Sequence, residues 1–217
     1  MMDITRNDLF IGSLIGSITH AVMTNVYPDL SYEQSWESNH YSIQNSQGLR
    51  GTISFEQEYC VGAIRNEKSE LIDDSSLKKI LANFPQFVIK TAKTDTLQYL
   101  LLTDKNGNVS PAITSIFWAD NARVHYGFNN FSALQVDFHL FAPHLLSEDK
   151  ALEWWKKFYD MDDEAIKLVR FLLAKKKEDF LGPIFLNQEQ QRMIPGDYLL
   201  DECAESLGEL NIFFSHC

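Results

Sequence analysis

The stretch DFHLFAPH, residues 137–144, brings a carboxylate and two imidazoles close together. Such side chains build metal centres and acid–base pairs. If the stretch is extended, Asp137 and His139 project from one face, and His125 can supply a third ligand. Pro143 opposes the alternative, in which His139 and His144 pair across a helical turn. Zinc sites are denser and more regular than this, so satisfied or exposed histidines are expected, with neither a metal nor a cofactor.

A second candidate is the thiol and guanidinium of TISFEQEYCVGAIRN, residues 52–66. A nucleophilic cysteine needs a base, a cation or a helix N-terminus to stabilise its thiolate. Cys60 and Arg65 lie five positions apart, and in a strand that spacing turns them to opposite faces. Cys60 instead falls in line with Gly62 and Ile64, where a small apolar thiol packs well. Cys203 falls with Leu199, Leu200 and Leu207 on the apolar face of a C-terminal helix, and Cys217 is terminal. The run DMDDE at 160–164 gathers four carboxylates but lacks the glycine and terminal glutamate of an EF-hand loop. Acids there suit the positive end of a helix dipole. Gly12 and Gly16, in GSLIGS, match neither a P-loop nor a nucleophile elbow and are read as close-packing positions.

Charge carries more information than any of these sets. Nineteen Lys and Arg stand against thirty Asp and Glu, a net charge of −11. That balance repels a phosphate backbone and anionic lipid, so neither nucleic acid nor a membrane surface is an expected partner. The acidity sits at the two ends of the sequence: residues 1–64 hold seven acids and two bases, and residues 187–217 hold six and one. Asp197, Asp201 and Glu205 recur every four residues, with Glu202 beside them and Glu209 just beyond a capping Gly208. Like charges at that spacing weaken a helix by roughly 0.2–0.5 kcal/mol per pair. A ridge that opposes local stability fits a docking surface for a basic partner. Trp36, in the polar stretch EQSWESNHYS, is the aromatic that could anchor such an interface from an exposed position. The lysines of AKKKED, 174–179, are answered at once by Glu178 and Asp179 and are read as solvent-facing.

Positioning these residues requires the following elements. Residues 9–26 contain no charged side chain but carry Ser13, Ser17, Thr19, His20, Thr24 and Asn25, which suits a buried helix and not a membrane span. Thr5 and Asp8 form a capping-box-like pair at its start. From Tyr32 to Arg65 the period is two, with turns at Asn45–Gly48 and Gln57–Glu58, giving three strands. A helix over SLKKILANF stops near Pro85; strands follow at TLQYLLLT, AITSIFWA and RVHYGF, with turns at Asp104–Asn108 and Asp120–Asn121. Beyond residue 147, Ser147 and Asp162 cap two amphipathic helices, a loop surrounds Gly182–Pro183, a last helix covers DYLLDECAESL, and ELNIFF forms an edge strand.

These elements predict an α+β fold in one domain over 1–217: an antiparallel sheet of about six strands, from two meanders, packed with an N-terminal helix and C-terminal helices. Three widely spaced cysteines suit reduced thiols in a cytoplasmic protein. The expected function is a non-catalytic interaction module that masks a basic partner, as a toxin-neutralising immunity protein does. The alternative is a small-ligand- or metal-binding enzyme with a cleft between sheet and helices, built on His125, Asp137 and His139 or on Cys60 and Arg65.

Overall fold

The computed structural model describes residues 4–126 and 138–215. In chain order its elements are α1 (Arg6–Met23), β1 (Gln34–Glu37), β2 (His40–Gln44), β3 (Leu49–Phe55), β4 (Tyr59–Asn66), α2 (Asp74–Leu81), α3 (Gln86–Thr94), β5 (Leu101–Thr103), β6 (Val109–Pro111), β7 (Ser115–Asp120), β8 (Val124–Tyr126), α4 (Glu148–Phe158), α5 (Asp163–Glu178), β9 (Ile184–Leu186), α6 (Gln188–Gln191), α7 (Asp201–Glu209) and β10 (Ile212–Phe214). Short 3-10 turns cover Pro28–Glu33, Thr96–Leu100 and Phe138–Leu145. The fold is α+β, with a main sheet in the order β1-β2-β3-β4-β7-β8. Pairing from β2 through β8 in that order is antiparallel throughout. The chain divides into two compact units, residues 1–10 with 39–142 and residues 11–38 with 143–217.

In the first unit, β3 and β4 are buried on both faces, not on alternate residues as the period-two pattern predicts. Ser54 looks toward the turn Thr96–Leu100, where its Oγ lies 2.7 Å from Thr96 Oγ1, so a polar residue inside the sheet is satisfied. On the same side Val61, Ala63 and Ile116 join Leu77, Leu81, Val88 and Leu97 in one apolar cluster. The opposite side places Gly51 against Leu140 and Phe141, and Gly62 against the ring of its cross-strand partner Phe117. The aromatic rings occupy the space that side chains at these glycines would need.

Three expectations fail here. Gln86–Thr94 is a helix, because Pro85 ends one helix and pre-sets the backbone at the start of the next. TLQYLLLT is a 3-10 turn over Thr96–Leu100 and a strand only over Leu101–Thr103, which pairs with β6 in a separate hairpin. Two strands, β1 and β2, lie where one was expected before Asn45–Gly48, joined through Ser38 at φ 58°.

In the second unit the small residues of α1 do what close packing requires. A Cβ on Gly12 would stand 1.9 Å from the carbonyl oxygen of His144, and one on Gly16 would stand 2.9 Å from His144 Nε2. α4 buries Ala151, Leu152 and Trp155, and α5 buries Leu168, Val169, Leu172 and Leu173. Asp162 caps α5 through the Ala165 amide at 2.7 Å. Ser147 holds the N-cap position of α4 without a side-chain bond; its carbonyl accepts from Ala151 at 2.8 Å. Lys176 is buried, not solvent-facing, and its ammonium donates to the carbonyls of Phe180 at 3.0 Å and Gly182 at 2.7 Å. The final strand pairs in parallel with β9, where a loop was expected.

Candidate functional site

Of the histidine set, His125 and His139 lie among the described residues. His125 Nε2 lies 2.9 Å from Asp120 Oδ2, and its ring stacks on Trp118 with centroids 3.9 Å apart. Burial pushes the Asp120 carboxyl up, but the amides of Arg123 and Ala122 and the His125 ring together hold it down at about 2. His139 is exposed on the turn Phe138–Leu145, and Asp137 lies outside the described residues. Among the described residues no three His, Cys, Asp or Glu stand together as a metal site. The partner that His125 does have, Asp120, belongs to the Asp-Asn turn preceding it.

Cys60 is fully buried, which pushes its thiol up to about 12. The cation that acts on it is Arg6, whose guanidinium lies over Phe10 and Phe55 and donates from Nε to the Glu56 carbonyl at 3.1 Å. Arg65 instead donates to Glu67 at 3.0 Å. Burial likewise takes Cys203 up to about 12 on the inner face of α7. Both thiols stay protonated at neutral pH and suit packing. Three of the four acids at 160–164 cap or pair: Asp162 caps α5, Asp163 meets Lys156, and Glu164 meets Lys167.

The acidic set at the C-terminal end is rearranged. α7 begins at Asp201, because Asn25 Oδ1 accepts the Leu200 amide at 2.7 Å and Leu200 is extended. Asp197 therefore leaves the ridge. The helix runs through Gly208, which is not its cap, and Asn211 takes the left-handed conformation beyond it, at φ 54°. Asp201, Glu205 and Glu209 are now the residues one turn apart. Glu209 turns inward at its tip: Oε2 accepts the Trp36 backbone amide at 2.8 Å, and burial raises its pKa.

Trp36 is not the exposed anchor expected. It is 2% exposed, donates from Nε1 to the Ser38 carbonyl at 3.0 Å and packs on Phe180 with ring centroids 5.1 Å apart. Asp201, Glu202 and Glu205 remain together on an exposed face. Among the described residues no Lys, Arg or His answers them within ion-pair distance, whereas five of the six acids of α4 and α5 meet Lys or Arg: Arg170 reaches Asp149 at 3.2 Å, Lys177 reaches Glu148 at 2.8 Å, and Lys175 reaches Glu178 at 3.0 Å.

Asp197 instead lines a cleft of about 430 Å³ with Asn25, Gln188, Gln191, Arg192 and Tyr198. Asn25 builds one wall, donating from Nδ2 to the carbonyls of Pro195 at 2.6 Å and Tyr198 at 3.0 Å while accepting from Leu200. Neither Asn25 nor Arg192 stands out in the sequence, because the residues that meet here come from distant segments.

The structure thus defines an α+β protein with two kinds of candidate surface in its second unit, an unanswered acidic helix face and a polar cleft. Comparison with protein-family models, curated proteins and solved structures finds no match to the chain. No helix among the described residues is long and apolar enough to cross a membrane.

Proposed function

We propose that the protein is a non-catalytic interaction module that docks a basic partner on the α7 face formed by Asp201, Glu202 and Glu205. The observation that supports this reading is the contrast in charge pairing. Among the described residues, five of the six acids of α4 and α5 meet Lys or Arg within the unit, Glu153 being the exception, while Asp201, Glu202 and Glu205 of α7 present unneutralised charge to solvent. Such a patch accelerates encounter with a cationic surface and disfavours acidic competitors. A cytoplasmic protein that neutralises a basic toxin by covering its cationic surface is one concrete form of this activity.

Capture from native-cell lysate tests it, followed by titration of each retained protein in isolation. The wild type is expected to hold a basic protein at low salt and release it as salt rises, since screening shortens the reach of exposed charges. The Asp201→Lys/Glu205→Lys variant is expected to bind the same protein at least about tenfold more weakly. Binding that survives both high salt and this reversal removes α7 as the contact.

A further inference from the structure

The cleft carries chemistry that the acidic face does not. Arg192 and Asp197 bring opposite charges to its lining and are both exposed, yet among the described residues they make no ion pair with each other or with any other group. Elsewhere in this unit exposed opposite charges do meet, as Lys177 and Glu148 do at 2.8 Å. Here both line one hollow, five positions apart in the chain.

The wall that carries Asp197 is held in advance of any ligand. Asn25 uses both amide hydrogens and its oxygen to fix the segment 195–200 at three backbone points. Gly196 sits at φ +113°, and a Cβ there would stand 2.6 Å from Asn25 Nδ2, so the wall excludes a side chain at that position. Gln191, also in the lining, donates from Nε2 to the Leu186 carbonyl at 2.8 Å. A wall already ordered loses little conformational freedom on binding. Tyr198, 73% exposed, and Leu199 add apolar surface to the lining. The volume falls within the roughly 300–1,000 Å³ of small-molecule sites.

We propose that this cleft binds a small zwitterion, a free amino acid or dipeptide, with its carboxylate on the Arg192 guanidinium and its ammonium on the Asp197 carboxylate. The guanidinium fork matches a carboxylate in two parallel hydrogen bonds. Each contact is weak alone because it is solvent-exposed. Joined in one molecule, the second contact forms intramolecularly once the first is made, so a zwitterion outcompetes a separate carboxylate or amine. This site is distinct from the acidic face of α7.

Titration calorimetry with the twenty standard amino acids and glycylglycine, beside propionate and ethylammonium as single-charge controls, tests the proposal. At least one zwitterion is expected to saturate where neither control does. Arg192→Gln and Asp197→Asn are each expected to weaken that binding by about tenfold. The Asp201→Lys/Glu205→Lys variant is expected to bind it as the wild type does, which separates this result from the fate of the docking reading. The proposal is overturned if no zwitterion saturates, if either control binds equally tightly, or if binding is indifferent to both cleft substitutions.

Discussion

Replacing Gly12 with alanine is expected to cost on the order of 3 kcal/mol, lowering Tm by about 6–12 °C. The new methyl would stand 1.9 Å from the His144 carbonyl oxygen, with the His144 carbonyl carbon and Cα also under 3 Å away. All three are backbone atoms, so no rotamer change relieves the overlap and the segment behind them must shift. Gly208→Ala is the matched control within the same unit: nothing lies within 4 Å of its Cβ, and it sits inside α7. There alanine is expected to raise stability by about 0.5–1 kcal/mol, through helix propensity alone. Urea titrations of the two variants read the difference directly. A Gly12→Ala protein as stable as the wild type would mean that α1 does not approach His144 this closely.

Acid is expected to destabilise the protein through His20 before ordinary carboxylate titration is complete. This imidazole is 2% exposed, and burial takes its pKa down to about 4, opposed only in part by the carbonyls of Ser31 and Leu30. Its Nδ1 lies 2.7 Å from the Tyr159 hydroxyl. Burial raises the pKa of Tyr159, so the phenol keeps its proton beside the neutral ring. The unfolded chain binds a proton at His20 below about pH 6.5, and the folded chain does so only near pH 4. Between these values the unfolded state holds more protons, so stability falls as pH falls, by about 3 kcal/mol in total from this group. Below about 4 both states are protonated and the loss levels off. The destabilisation caused by His20→Gln should accordingly be smaller at pH 4 than at pH 7 by about that amount. A pH-independent difference between variant and wild type would show that His20 titrates alike in both states.

What could be read in the sequence was local. The Thr5–Asp8 capping pair forms reciprocally, with Asp8 Oδ2 accepting from the Thr5 amide at 2.9 Å and the Asp8 amide donating to Thr5 Oγ1 at 3.2 Å. Asp162 caps α5, and the turns at Asn45–Gly48 and Asp104–Asn108 join strands through glycines at positive φ. The misplaced features depend on partners far along the chain. Leu200 is drawn out of the last helix by Asn25, 175 positions earlier, and that one bond moves Asp197 from ridge to cleft. Trp36 sits among polar neighbours in sequence but is covered by Phe180. Lys176 lies in a charged run yet points its ammonium at two carbonyls of the following loop. Periodicity records which face of an element is apolar; it does not record which distant group will meet a polar residue on it. Asp201 and Glu205 stay one helical turn apart because both lie inside α7, where Asp197, at the same spacing, does not.

The two buried thiols give the molecule a pair of internal clocks. Cys60 lies in the first unit and Cys203 in the second, and each is inaccessible and protonated in the native state. An alkylating reagent can reach either only when its surroundings open, so labelling reports the frequency of opening instead of the chemistry of sulfur. In a Cys217→Ser background, equal labelling rates would mean that both units yield in one cooperative event. Unequal rates would rank them, and would identify which half of the chain a ligand or partner steadies when it binds.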